Sequence, residues 1–180
     1  NDDSHIYLNN FSTLENIKIL NNSKNLGQSK SLQKGIIKST YDTIVTIDGD
    51  CQNDPKDILK LLKIYFSKDN INVTFVSGVR AKRKDNLIKI FSSKIANKVR
   101  NFFLKDGCPD TGCSLKVFPK EYFLRIPFFN GMHRFLPALF IGLNLRPYYV
   151  NVSHRKRVIG FSKYGTFGRL IVSIILLFKV

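Results

Sequence analysis

The sequence predicts an α/β domain built on a mostly parallel sheet flanked by helices. Strand-like and helix-like hydrophobic periodicities alternate along its 180 residues, and no internal repeat or low-complexity tract interrupts them. The β-branched runs at residues 43–47 (TIVTI) and 73–77 (VTFVS) are typical of buried parallel strands. The composition is that of a packed globular chain, since 43% of the residues are hydrophobic and 23% are charged.

A helix is predicted between these two strands. Asp54 can cap its first turn, Pro55 loses nothing there through its missing N–H group, and Asp57 is favourable near the positive helix end. The core-facing stripe of this helix consists of Ile58, Leu61, Leu62, Tyr65 and Phe66.

The alternation continues after the second strand. An amphipathic helix is expected there, with one side formed by Leu87, Ile90, Phe91, Ile95, Val99, Phe102 and Phe103. A strand over residues 113–118, a helix over 133–142 and a strand over 145–152 then complete one α/β domain.

The chain is strongly basic, with 29 Lys and Arg residues against 13 Asp and Glu residues and a net charge of +16. This surplus favours an anionic partner: nucleic acid, an anionic membrane surface or a phosphorylated substrate. Lysine supplies 20 of the 29 cations, and most of these lysines can equally form a solvated surface. The charge alone therefore does not distinguish among these partners. Cys51, Cys108 and Cys113 are too few for a disulfide framework and favour a reducing compartment.

An apolar run lies near the C-terminal end of the sequence. Residues 170–178 (LIVSIILLF) follow the basic residues 154–157 (HRKR). A bilayer needs about 20 apolar residues, so this short run fits either a buried terminal helix or the first part of a membrane helix. The preceding cations favour a cytoplasmic membrane surface. We therefore expect one domain over residues 1–166 and the start of an apolar juxtamembrane or transmembrane helix over 167–180.

The most informative segment is DGDCQNDP at residues 48–55, directly after the first predicted strand. Ligand sites of open α/β sheets lie at this edge. If the chain stays extended, Asp48, Asp50 and Gln52 point to one side and bring two carboxylates and an amide oxygen together. Such oxygen ligands suit Mg²⁺ or Mn²⁺, which also bridge to substrate phosphates. The alternative is an ordinary turn, because Asp and Gly are turn residues.

Several motifs together resemble the family 2 glycosyltransferases. In the family's order, they are DGDCQNDP (48–55), SGVRAKRKD (77–85), SSKIAN (92–97), DTGCSLKVF (110–118), HRFLPAL (133–139) and HRKRVIGFSKYG (154–165). The group they resemble most is the dolichol-phosphate mannose synthase-like enzymes and their bacterial polyprenyl-phosphate relatives. The resemblance implies a GT-A fold, in which a nucleotide-diphosphate sugar and a divalent metal ion meet at the Asp-x-Asp segment. The family's opening strand and nucleotide-base loop are absent before Asn1, so we expect a truncated domain.

The resemblance also assigns the donor side of the site. Asp50 and Gln52, with Asp48 beside them, would hold Mg²⁺ or Mn²⁺, and Asp48 would help to position the nucleotide. Because the metal neutralises charge on the leaving nucleotide, Asp50 is expected to be essential for the chemistry. Arg134 would approach the donor, with helix capping as its alternative. Asp110 occupies the place of a catalytic base, although an anionic phosphate acceptor needs less base help, so Asp110 can instead orient the sugar or a loop.

The basic motifs are assigned to the phosphate of a polyprenyl-phosphate acceptor. Arginine suits this ligand because it donates two parallel hydrogen bonds to phosphate. The residues implied are Arg80, Arg83, Ser93, Lys94, Arg155, Arg157, Ser162 and Lys163. In the last motif the cations are interleaved with glycines, which suits a loop that closes over the substrates. Solvent-exposed charge and a membrane-surface patch are the alternatives.

The sequence therefore predicts a membrane-associated, metal-dependent, inverting glycosyltransferase on the cytoplasmic face. It would transfer a hexose from a UDP- or GDP-sugar to a polyprenyl (dolichyl or undecaprenyl) phosphate. A rival enzyme of the same family would act on a glycan hydroxyl and would depend on Asp110 but not on Arg80. A nucleic-acid-binding module is disfavoured because no nucleic-acid motif occurs, and a membrane scaffold because Asp48, Asp50 and Gln52 are intact. The sugar, the nucleotide, the lipid and the oligomeric state are left open.

Overall fold

The computed structural model of the protein describes residues 4–67, 73–80 and 98–155. Its helices and strands are α1 (Ser4–Asn9), α2 (Gly27–Lys38), β1 (Thr43–Thr46), α3 (Asp57–Tyr65), β2 (Val73–Arg80), β3 (Lys116–Pro119), α4 (Lys120–Arg125), a 3₁₀ helix (Met132–Arg134), α5 (Leu136–Gly142) and β4 (Arg146–Val152). Residues 98–104 are also helical. This succession of helices and strands confirms the predicted α/β class.

The described residues contain one sheet of four strands in the order β1-β3-β2-β4. β3 runs antiparallel to both β1 and β2, whereas β4 runs parallel to β2. The prediction of a mostly parallel sheet is therefore wrong in its pairing, and the sheet is mixed. β3 begins at the edge where β2 ends, since its first residue, Lys116, pairs with Ser77. A short β-branched run does not reveal strand direction, so the sequence pattern could not show this reversal.

Apolar clusters cover both faces of the sheet. Val117 and Phe118 are neighbours on β3 and point to opposite faces. The cluster on the Phe118 face contains Ile36, Ile44, Phe75, Phe118, Phe123, Ile126, Met132, Leu136, Phe140 and Leu145. The cluster on the Val117 face contains Leu61, Val76, Cys113, Leu115, Val117 and Val152. Because α5 supplies Phe140 to the first cluster and α3 supplies Leu61 to the second, helices flank the sheet on both sides.

Two aspartates lie at the start of α3, but Asp54 does not cap the helix as expected, since the cap residue is Lys56 and it makes no side-chain capping hydrogen bond. Asp54 Oδ1 accepts a hydrogen bond from the backbone N–H of Lys56 at 3.0 Å, in the turn before the helix. The helix itself begins at Asp57, three residues after Asp54, and Asp57 is 2% exposed. Its Oδ2 accepts the backbone N–H of Ser153 at 2.7 Å, and its Oδ1 forms an ion pair with Lys60. Asp57 therefore ties α3 to the end of β4.

Other predicted elements differ from the structure at their ends. β2 extends to Arg80, so Arg80 is the last residue of a strand rather than part of the following loop. The helix predicted over 133–142 is divided into the 3₁₀ helix and α5. Pro137 has no N–H to donate to the carbonyl of His133, which explains the division. The strand predicted over 145–152 is confirmed as β4.

Residues 98–104 are the described part of the second predicted amphipathic helix, and their apolar side is not buried as expected. Phe102 is 77% exposed and Phe103 is 65% exposed, whereas Arg100 is 6% exposed. Arg100 is drawn inward because its Nη2 donates to Asp106 Oδ1 at 3.1 Å. Within residues 98–104, the side that faces the interior therefore carries an ion pair with a buried carboxylate and not the apolar side chains.

Two predictions fall outside the described residues. They are the first part of this amphipathic helix and the apolar helix expected over 167–180. Among the residues that the structure describes, no helix has the length and apolar character needed to cross a membrane.

Replacing Asp57 by asparagine should destabilise the fold most at neutral pH. Burial acts to raise the pKa of Asp57, but hydrogen bonds from Lys60 and Ser153 outweigh it and lower the pKa below 3.8. Such a carboxylate stabilises the fold above its unfolded-state pKa, and the contribution is lost as the pH falls through the folded-state value. We expect a loss of about 1–3 kcal/mol at pH 7 in urea unfolding and a smaller loss at pH 3. The control is Asp42→Asn at an exposed position; equal losses at both pH values for Asp57→Asn would contradict this account.

Candidate active site

A cleft lies at the edge of the sheet where β1 and β2 end. It is lined by Asp48, Asp50, Gln52, Asn53, Arg80, Gly112, Cys113, Ser114 and His154. These residues come from the loop after β1, the end of β2, the turn before β3 and the residues after β4. The fold thus brings together Asp48, Asp50, Gln52 and Arg80, which the sequence analysis singles out.

The loop after β1 turns sharply and is not extended. Cys51 has a positive φ of 59°, and the backbone N–H of Gln52 donates to Asp50 Oδ1 at 3.2 Å. The turn alternative is therefore correct for the backbone. Asp48, Asp50 and Gln52 nevertheless line one cleft. The turn brings their side chains together, which the extended conformation was expected to do through its period of two.

Ser114 holds this loop in place. Its Oγ accepts hydrogen bonds from the backbone N–H of Asp48 at 3.1 Å and from Asn53 Nδ2 at 2.9 Å. Its carbonyl accepts a hydrogen bond from Thr46 Oγ1 at 2.6 Å. Sequence reasoning misses Ser114 and Asn53 as site residues, because their contact depends on β3 lying beside β1 and no spacing pattern signals it.

The polar atoms of the cleft form an oxygen-rich set. Gln52 Nε2 donates to the carbonyl of Arg155 at 3.3 Å, which leaves Gln52 Oε1 as an acceptor. Asn53 is 6% exposed, and its Oδ1 has no hydrogen-bond partner in the part of the chain that the structure describes. With the carboxylates of Asp48 and Asp50, these amide oxygens fit a hard divalent cation such as Mg²⁺ or Mn²⁺. The described residues contain no group of three or more His, Cys, Asp or Glu side chains that could hold a metal, so amide oxygens would have to complete the set.

Arg80 and Asp110 form a two-point ion pair beside these oxygens. Arg80 Nε donates to Asp110 Oδ2 and Arg80 Nη2 donates to Asp110 Oδ1, each at 2.7 Å. The backbone N–H of Arg80 lies 3.2 Å from Oδ2 as well. The two side chains are 14% and 7% exposed. Both oxygens of Asp110 are therefore engaged by Arg80, so the geometry favours an orienting role for Asp110 over that of a base.

Gly112 makes room for the guanidinium group of Arg80. A Cβ atom added at Gly112 would lie 2.6 Å from Arg80 Nη2 and 3.5 Å from Asp110 Oδ1. The first distance is shorter than a van der Waals contact, so any side chain here would displace the arginine. The absence of a side chain at position 112 therefore sets where Arg80 can lie.

The chain after β4 runs back along the loop after β1. Asn53 and His154 form an isolated antiparallel β-bridge, and the backbone N–H of Arg155 donates to the carbonyl of Gln52 at 2.8 Å. The side chain of Arg155, which is predicted to contact the acceptor phosphate, forms an ion pair with Asp54 and is 57% exposed. Arg155 therefore lies beside the loop after β1, with its guanidinium group directed to a carboxylate.

Arg134 lies in the 3₁₀ helix next to the paired side chains of Ser29 and His133. Ser29 Oγ lies 2.6 Å from His133 Nδ1 and accepts the backbone N–H of Gly131 at 3.0 Å. Burial, followed by the charges of Arg134 and Lys116, lowers the pKa of His133 to about 4, so its imidazole is neutral at pH 7. Arg134 is not among the described residues that line the cleft.

The remaining residues assigned to the acceptor phosphate lie outside the described residues. They are Arg83, Ser93, Lys94, Arg157, Ser162 and Lys163. Their roles stay predictions.

Curated relatives of the chain have polyprenyl phosphates in their names. The chain is 33% identical over 141 residues to the dodecaprenyl-phosphate galacturonate synthase of Rhizobium johnstonii, with 75% of this chain and 40% of the relative covered. It is 28% identical over 135 residues to an undecaprenyl-phosphate 4-deoxy-4-formamido-L-arabinose transferase of Pectobacterium carotovorum, with the same coverage of 75% and 40%. The chain thus spans 40% of the length of these relatives.

Solved structures share the fold. The glucosyl-3-phosphoglycerate synthase of Mycobacterium tuberculosis in complex with phosphoglyceric acid has a TM-score of 0.67 and 14% identity, with 99% of this chain and 66% of that chain covered. The same enzyme with Mn²⁺, UDP and glucosyl-3-phosphoglycerate has a TM-score of 0.66 at the same identity and coverage. This likeness confirms an α/β, GT-A-like architecture. The model of the family described as Glycosyl transferase family 2 matches residues 1–126, and with this match over most of its length the chain belongs to that family.

Proposed function

We propose that this chain carries the active site of a membrane-associated, metal-dependent glycosyltransferase that moves a hexose from a UDP- or GDP-sugar to a polyprenyl phosphate. The observation that carries the proposal is one cleft that holds both the Asp50 carboxylate and the Arg80 guanidinium group. The oxygen-rich side suits a metal-bound diphosphate, and the arginine suits a second phosphate. The names of both curated relatives, which contain dodecaprenyl phosphate and undecaprenyl phosphate, support the acceptor class.

On the donor side, Asp48, Asp50 and Gln52 are the proposed ligands of Mg²⁺ or Mn²⁺, and Asn53 Oδ1 adds a further oxygen. The ion would neutralise the negative charge that develops on the leaving nucleoside diphosphate. Ser114 keeps the loop in register by holding the backbone of Asp48. A complex of the structural neighbour with Mn²⁺ and UDP supports this class of donor in the same fold.

On the acceptor side, Arg80 is the proposed phosphate ligand. Asp110 orients the guanidinium group through two hydrogen bonds of 2.7 Å, so less conformational freedom remains to be lost when the acceptor binds. We assign Asp110 as a positioning residue for Arg80. The other residues proposed to contact the acceptor phosphate are Arg83, Ser93, Lys94, Arg155, Arg157, Ser162 and Lys163.

The proposed reaction is a single displacement. An oxygen of the acceptor phosphate attacks the anomeric carbon of the donor sugar and forms a new C–O bond. The bond from that carbon to the diphosphate breaks, and the nucleoside diphosphate leaves with the electron pair. Attack from the opposite side inverts the anomeric centre, and no proton is removed because the attacking phosphate oxygen is already ionised near neutral pH.

We also propose that the domain works at the cytoplasmic surface of a membrane. A polyprenyl chain is buried in lipid, so its phosphate has to be met at the bilayer surface. The net charge of +16 favours contact with anionic headgroups, and the apolar run at residues 170–178 supports attachment through the segment 167–180.

Asp50→Ala should remove the chemical step, because the cleft loses a carboxylate ligand. We expect transfer to fall at least about a hundredfold. The assay uses membranes with the complete reading frame, labelled UDP- and GDP-sugars, undecaprenyl or dolichyl phosphate, and Mg²⁺ or Mn²⁺, and it counts label in the lipid fraction. Asp42→Ala, at an exposed position, is the control. Unchanged transfer by Asp50→Ala would refute the donor site, and a parent that transfers no sugar from any donor would refute the function.

Arg80→Ala should weaken binding of the lipid acceptor and leave the donor KM near that of the parent. We expect the KM for polyprenyl phosphate to rise about tenfold to a hundredfold, because a phosphate loses a desolvated charged partner. Arg125→Ala, at an exposed position on α4, is the control. Transfer to a soluble glycan that needs Asp110 but not Arg80 would favour the hydroxyl-acceptor enzyme instead.

Gly112→Ala should reproduce part of the Arg80→Ala defect without removing any charge. The added Cβ displaces the Arg80 guanidinium group, since it would lie 2.6 Å from Nη2. We expect a higher acceptor KM, an unchanged donor KM and a lower melting temperature, because the buried carboxylate of Asp110 loses part of its pairing. Gly142→Ala is the matched control, because a Cβ there meets nothing within 4 Å. Parental acceptor kinetics in Gly112→Ala would show that the position of Arg80 does not matter for the acceptor.

A further inference from the structure

A polar row crosses the sheet beside the cleft. Thr46 of β1 pairs with Lys116 of β3, Lys116 pairs with Ser77 of β2, and Ser77 pairs with Tyr149 of β4. Residues directly opposite one another in paired strands share a face. This row lies on the face that carries Phe118, two residues after Lys116, so an otherwise apolar surface becomes polar at the edge next to the site.

Lys116 is the charged member of this row, and it is almost completely buried. It is 3% exposed, and its Nζ donates to the carbonyl of Cys113. Burial lowers the pKa of Lys116 below its usual value, and the carboxylates of Asp110 and Asp48 offset part of this effect. A buried lysine is costly to a fold unless it is paired, and the groups that favour its ammonium form are the Cys113 carbonyl and the carboxylates of Asp110 and Asp48.

The contacts of Lys116 connect the two halves of the proposed site. The segment 110–115 carries Asp110, which holds Arg80, and Ser114, which holds the backbone of Asp48. Lys116 is bonded to the carbonyl of Cys113, in the middle of that segment. Its charge therefore acts on the donor-side carboxylate Asp48 and on the acceptor-side carboxylate Asp110.

We propose that Lys116 is a positioning residue that places a fixed positive charge under the cleft and so favours binding of the nucleoside diphosphate over binding of the metal ion alone. This inference rests on the proposed function, because it assumes that a divalent cation and a diphosphate share the cleft. A fixed cation repels Mn²⁺ and attracts an anion, so the loss of its charge changes the two affinities in opposite directions. A purely structural lysine would weaken both, since its loss would disorder the segment 110–115.

The test compares two binding measurements on the complete protein. Mn²⁺ alone is titrated by electron paramagnetic resonance, and UDP and GDP are each titrated by calorimetry at saturating Mg²⁺. In Lys116→Met we expect about threefold to tenfold tighter Mn²⁺ binding and about threefold to tenfold weaker binding of whichever nucleotide the parent binds. Lys116→Arg keeps the charge and should stay close to the parent in both titrations.

Lys120→Met is the matched control. Lys120 also donates to backbone carbonyls, those of Ser39 at 2.8 Å and Ile37 at 3.3 Å, but it lies on α4 and outside the cleft. Both of its affinities should be parental. Melting temperatures show which variants fold, and Lys116→Gln, a neutral variant that keeps a hydrogen-bond donor, replaces Lys116→Met if the latter does not fold.

The outcomes separate the inference from the function on which it rests. Parallel weakening of both ligands, no change in either, or failure of both neutral variants to fold would overturn the role proposed for Lys116. A parent that binds neither Mn²⁺ nor UDP or GDP would overturn the proposed function and this inference with it. A parent that binds both ligands, with unchanged affinities in the neutral variant, would overturn the inference alone.

Discussion

The position of β3 between β1 and β2 is the constraint on which the site depends. Because β3 enters the sheet antiparallel to both neighbours, the turn that precedes it lies over the edge where β1 and β2 end. That turn brings Ser114 to the loop after β1 and Asp110 to the last residue of β2. A parallel β3 would have entered from the opposite edge, and the two halves of the cleft would have had no common support.

The sequence predicts the parts of the site better than the contacts between them. Asp48, Asp50 and Gln52 follow a β-branched strand and carry oxygen ligands, and both are local properties that a pattern can express. The contact between Arg80 and Asp110 joins residues 30 positions apart. It depends on strand order, which hydrophobic periodicity does not encode.

The burial of charged residues is likewise not predicted by the hydrophobic pattern. The apolar stripe predicted for Phe102 and Phe103 is exposed, whereas Arg100 is buried with Asp106. A periodicity rule assumes that apolar side chains face the core, and it has no means of anticipating a charged pair that stabilises both partners in the interior. The sequence pattern does not identify Lys116 either, because a lysine in a predicted strand is normally interpreted as solvent-exposed.

The two cations at the cleft differ in a way that suits different tasks. The guanidinium group of Arg80 is a planar fork, and Asp110 holds it in one orientation, so it can recognise a phosphate by geometry. The ammonium group of Lys116 is a compact, buried point charge, and its proposed role is to act through its electric field. An exchange of the two residue types would keep the net charge and remove both proposed roles.

The close approach between position 112 and Arg80 has a consequence for how the two positions vary among relatives. Glycine is required at position 112 only while a guanidinium group occupies the space beside it, since a Cβ would lie 2.6 Å from Nη2. A relative with a short side chain in place of Arg80 is released from that requirement and can accept alanine or serine at position 112. Positions 80 and 112 should therefore change together during divergence, although 31 residues lie between them in the sequence.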